Sequence, residues 1–114
     1  MTTNKVRRGD IFTAAARGAY SSKPRPVVVV QDDRFDATAS ITVVPFTTSE
    51  VEAPLLRIPV QASTRTGLAR YSHLMIDKVT TVPRASLTDH VGRLSDADII
   101  QMNRALLVFL GLAA

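Results

Sequence analysis

The stretch "SSKPRPVVVVQ", residues 21–31, restricts this chain more than any other. Four consecutive valines, Val27 to Val30, are stiff at χ1 and fit a pleated strand better than a helix. A strand without polar alternation needs apolar cover on both faces. Arg25 stands between Pro24 and Pro26, directly before the run. The prolines restrict the backbone, so the guanidinium leaves from a stiff base at the mouth of a buried strand. A guanidinium offers five donors in a planar fork and stays charged, which suits an oxyanion or a phosphate. The plainer reading pairs Arg25 with Asp32 or Asp33 to close the sheet edge.

Further strands are expected on both sides of this one. Residues 9–15 ("GDIFTAA") read as a first short strand, and "ARGAYSSKP" after it as a loop punctuated by Gly18 and Pro24. "ITVVPFT", residues 41–47, carries Pro45 near its end, which suits an edge or a bulge. "LLRIPV", residues 55–60, is a fourth strand, and residues 73–82 ("HLMIDKVTTV") form the longest, with mixed faces. His90 falls in the loop before the last element and is given no role.

The period then changes. Ser95 is a good N-cap, Asp98 follows three residues later, and Asp96 and Asp98 suit the positive end of a helix dipole. Ile99, Met102, Leu106, Phe109 and Leu110 fall on one helical face, but beyond Ala105 the helix is apolar all round. A small monomer has too little interior to bury such an end, so a subunit interface is expected there; the alternative is a sheet that wraps it. Five strands and one C-terminal α-helix give a mainly β fold, a small, strongly curved barrel.

At 114 residues the chain is expected to form a single domain, residues 1–114. The start, "MTTNKVRRGD", has no apolar stretch behind it, and no run is long enough to span a bilayer, so a cytoplasmic protein is expected. With no cysteine and two isolated histidines, neither a disulfide nor a metal site is expected. The net charge of +4 favours a polyanionic partner only if the cations converge on one site. A second candidate for such a site is "VVPFTTSE", where Thr47 and Thr48 follow a buried strand. Their hydroxyls can hold a phosphate oxygen or a ribose hydroxyl, although threonines at strand ends more often cap the turn.

"RRGDIF", "KPRPVVVVQ", "ITVVPFTTS" and "TGLARYSHLMIDKVTTVPRASL" occur in an order and spacing that resemble the MazF/PemK family of toxin endoribonucleases, nearly end to end. The arginine-proline-valine strand followed some twenty residues on by a proline-x-threonine strand end is its most specific part. "MIDKVTTVPRASLTDHVGRL" with the closing helix also resembles CcdB, a gyrase poison of the same fold. The resemblance implies an SH3-like PemK/CcdB barrel, a homodimer, and an acidic, partly disordered antitoxin as partner. It implies sequence-specific, metal-independent cleavage of single-stranded RNA, with no cofactor, leaving 2′,3′-cyclic phosphate and 5′-hydroxyl ends. The family's catalytic arginine and threonine map onto Arg25 and Thr47.

Many relatives carry a glycine-serine-glutamate-glutamine stretch before the arginine, where this chain has "ARGAYSSKPRP" and no acid. His73 is the candidate acid/base in its place; a hydrogen-bonded strand-end histidine is the plainer reading. Asp77 stands where an acid is usual, and Lys78 replaces a common glutamine. Arg7, Arg8, Arg17 and Lys23 are expected to track phosphates, Thr48 and Lys78 to touch RNA, and Tyr20 to stack on an unpaired base. Two alternatives remain: a CcdB-like gyrase poison without nuclease activity, and a nucleic-acid-binding barrel that has lost activity.

Overall fold

The computed structural model describes residues 5–15 and 23–114. The valine run lies in β2 (Arg25–Val29), the centre of a curved antiparallel sheet. On one side β2 pairs with β1 (Asp10–Ala14), and on the other with β3 (Ser40–Thr47). Successive side chains of a strand point to opposite faces, and both faces of β2 are covered. Val28 joins Ile11, Val44, Phe46 and Leu74 in one apolar cluster, while Val27 and Val29 join Phe12, Ile41 and Val43 in another. Each fully buried valine contributes about 1.5–3 kcal/mol, so the run is a main anchor of the fold.

The two faces are covered by different means. The first lies against α1 (Asp96–Phe109), which contributes Met102 and Leu106 to the cluster. Ser95 caps this helix, its hydroxyl accepting from the Asp98 amide at 3.1 Å. The second cluster draws on β1, β2, β3, β7 (Leu87–Arg93) and Val6, with Val82 of β6 (Thr80–Pro83) against it. Among the described residues no helix contributes to it. The sheet buries this face by curling over itself, as a small barrel does.

Seven strands form the sheet among the described residues, in the order β4-β5-β3-β2-β1-β7 with β6 also on β3. Here β4 is Arg57–Val60 and β5 is Ser72–Met75. The expected count of five is therefore corrected. The strand expected over residues 73–82 is two, β5 and β6, separated by a 3-10 turn at Ile76–Lys78. Both pair with the same edge of β3, and the turn takes up the shift between the Phe46↔Leu74 and Val43↔Thr80 registers. His90 lies not in a loop but in β7, opposite Phe12 of β1. Asp89, His90 and Gly92 interrupt the apolar alternation of β7, and that hid it from the sequence pattern.

Phe109 and Leu110 do not share the buried helix face: they are 43% and 54% exposed, beside exposed Leu107, Val108 and Leu112. Among the described residues no helix is long and apolar enough to cross a membrane.

Candidate active site

The β2–β3 register pairs Val27 with Pro45 and Val29 with Val43. The paired stretch ends at Val27 and Pro45; the same register continued two residues brings Arg25 to Thr47, each the last strand residue at its end. Directly opposed residues of antiparallel strands point to the same face, with backbones about 5 Å apart. That face is the one that curls over itself, because Arg25 alternates with Val27 and Val29. The apolar row ends there, and Arg25 is exposed at its mouth.

The row continues across the sheet. Ala14 of β1 is paired with Arg25, and Thr47 is paired with His73 of β5, which in turn faces Pro59 of β4. Thr47 and His73 are thus paired across β3 and β5, and the β2–β3 register, continued, brings Arg25 to the same end. The Thr47 hydroxyl oxygen accepts from the Ser49 amide at 3.1 Å, which leaves its own proton free to donate. His73 stacks edge-on against Tyr71 with ring centroids 5.1 Å apart, and its Nδ1 is buried without a hydrogen-bond partner.

The expected carboxylate partners of Arg25 are engaged elsewhere. Asp32 accepts from the backbone and side chain of Arg34, and these bonds hold its carboxyl below the usual range. Asp33 accepts from the Arg8 amide at 2.6 Å. No ion pair to Arg25 is present among the described residues. Its five donors are thus open to an oxyanion.

The other cations divide. Lys23 is exposed two residues before Arg25, and Thr48 is exposed just past Thr47. Lys78 is exposed, but it lies in the 3-10 turn between β5 and β6 rather than in a strand. Arg7 and Arg8 lie at the far end of β1, because the register brings Ala14 to Arg25; Arg8 Nε donates to the Val30 carbonyl at 2.7 Å. They stand at the opposite end of β1 from Arg25. Arg17 and Tyr20 lie outside the described residues.

Neighbours that motif reading passed over complete the surroundings. Arg57 and Met75 are paired and share the His73 face. Arg57 Nη1 donates to Asp77 in an ion pair whose side chains are 15% and 26% exposed. That hydrogen bond is the main reason the Asp77 carboxyl is held below the usual range. Tyr71, two residues before His73, is 44% exposed. The sequence signal for it was the period of two from His73, readable only once His73 was placed on the site face.

Residues 7–110 match the model of the PemK-like, MazF-like toxins of type II toxin–antitoxin systems. The chain belongs to this family of MazF-type endoribonuclease toxins. It is 68% identical to a probable endoribonuclease MazF of Mycolicibacterium smegmatis, over 95% of this chain and 99% of that protein. It is 33% identical to endoribonuclease MazF9 of Mycobacterium tuberculosis, over 94% and 98% of the two chains. In fold it is similar to a mycobacterial endoribonuclease solved with its cognate antitoxin, at a TM-score of 0.75 and 24% identity, covering 95% of this chain and 97% of that one. The CcdB-like alternative is not favoured by these matches.

Proposed function

We propose that this MazF-type toxin is a metal-independent endoribonuclease that cuts single-stranded RNA at specific sequences, with Arg25 and Thr47 as its catalytic residues. The observation that carries the reading is Arg25: exposed and unpaired by any described carboxylate, at the strand end that the β2–β3 register, continued, brings to Thr47. The 2′-oxygen bonds to the adjacent phosphorus as the bond to the 5′-oxygen breaks. The 2′-hydroxyl proton leaves to a base, the 5′-oxygen takes up a proton, and the products are a 2′,3′-cyclic phosphate and a 5′-hydroxyl. Arg25 donates to the non-bridging oxygens, whose negative charge grows in the phosphorane. Thr47 holds the linkage in line from the neighbouring strand. His73, across from Thr47, is the acid/base group of this reading, in place of the absent loop glutamate. Lys23, Thr48 and Lys78, with Arg17 and Tyr20, contact the RNA.

The exposed apolar end of α1 and the residues just after it support a homodimer: Leu107, Val108, Phe109, Leu110 and Leu112 are each at least 42% exposed within six consecutive positions. An acidic antitoxin segment that covers Arg25 would silence the site directly, and RNA and antitoxin would exclude each other. The protein acts in the cytoplasm, where its RNA substrate is.

The test is incubation of the purified protein with a long single-stranded RNA in chelator, followed by end analysis. Cyclic phosphate and 5′-hydroxyl ends, lost in Arg25→Ala, are expected. Intact RNA at high protein concentration overturns the reading.

A further inference from the structure

Resting on the RNA-cleaving reading, we propose that the cleft beside His73 binds one unpaired base of the substrate and selects amino-bearing bases over uracil. The cleft encloses about 360 Å³ and is lined by Glu50, Val51, Glu52, Tyr71 and His73. It opens next to Thr47, since His73 is paired with Thr47 and Glu50 follows it by three residues. A nucleotide adjoining the cut linkage therefore reaches it without leaving the β3–β5 edge.

Its chemistry fits a base and rejects a phosphate. Tyr71 offers an exposed ring, fixed edge-on by His73, on which a base can stack. Glu50 and Glu52 are exposed acceptors that repel a phosphate. Arg57, which lines the adjoining cavity with Glu52 and His73, is neutralised by Asp77 and leaves no free cation for an anion. Carboxylates accept from the exocyclic amino groups of guanine, adenine and cytosine. Uracil presents one N–H flanked by two carbonyl oxygens, and these the carboxylates repel. His73 Nδ1, buried and without a partner, adds a polar group whose needs the protein alone does not meet.

Cut sites mapped across one long RNA test this, with the flanking bases aligned for the native protein and for Glu50→Gln, Glu52→Gln and the double variant. The native protein is expected to disfavour uracil at one fixed position beside the cut. The glutamines, which donate as well as accept, are expected to relax that position by about tenfold or more while other positions keep their preference. Tyr71→Ala is expected to raise the half-saturating RNA concentration, and Tyr71→Phe, which keeps the ring, to restore it. An aligned pattern that is the same for native and glutamine variants at every position overturns the inference while the nuclease reading stands. No cutting by the native protein overturns both.

Discussion

The two ends of the β1–β2 pair treat charge in opposite ways. At one end Asp10 is buried and fully engaged: its carboxylate accepts from the Arg7 amide and from Arg93 Nη1, both at 3.1 Å, with His90 Nε2 at 3.5 Å. At the other end Arg25 is exposed and has no carboxylate among the described residues. Arg93 and Arg57 are arginines that the fold uses; Arg25 is one that the fold leaves open. All three are arginines at strand ends of one sheet, and what separates Arg25 is that no described carboxylate pairs with it. A buried acid without its cation would cost stability, whereas an exposed guanidinium without an acid is solvated at little cost.

The largest effect expected at the open end is on rate. Arg25→Ala should lower RNA cleavage by about a hundredfold to a thousandfold, the cost of losing one oriented donor to a developing oxyanion, with Tm unchanged. A fall in Tm of the size caused by core substitutions would show that Arg25 is structural and erase the comparison. At the closed end the sign reverses. Asp10→Ala should cost about 2 kcal/mol and lower Tm on the order of 10 °C, with cleavage per folded molecule retained. Calorimetry beside a cleavage assay reads both quantities.

Thr47 sharpens the contrast. Thr47→Ala should slow cleavage by roughly tenfold through lost positioning, and Thr47→Ser, which keeps the hydroxyl, should restore most of it. Equal rates for alanine and serine would remove Thr47 from the site.

The smallest effect concerns the ion pair beside the site. Asp77 is held below the usual carboxylate range by Arg57, so its folded value lies below its unfolded one. Its contribution to stability is therefore full above about pH 4 and is lost as pH falls through the lowered folded value. Asp77→Asn should flatten that part of the Tm-against-pH curve. An unchanged acid limb would mean that the pair contributes nothing there.

Much of this was readable before any coordinates. The valine run required cover on both faces, and Val28 against Val27 and Val29 divides between two clusters as the period of two demands. Ser95 and the acids after it fixed the start of the helix. Arg25 and Thr47 stood out at the ends of buried strands, but only the family resemblance joined them as a site. The strand over residues 73–82 was misread because no local signal marks a 3-10 turn within a run of strand-forming residues. Phe109 and Leu110 share a helical period with Met102 and Leu106 but stay exposed, at the end where the apolar run beyond Ala105 called for a further contact surface.

Local residue choice settled what each segment would be: β-branched runs, a capped helix start, a proline-stiffened arginine. Those are short-range effects of sterics and side-chain entropy. Tertiary structure settled which segments meet: that Arg25 pairs with Ala14, that Thr47 pairs with His73, and that Asp32 and Asp33 are engaged elsewhere. Register and charge pairing join residues tens of positions apart, and their energies exist only once the sheet has closed.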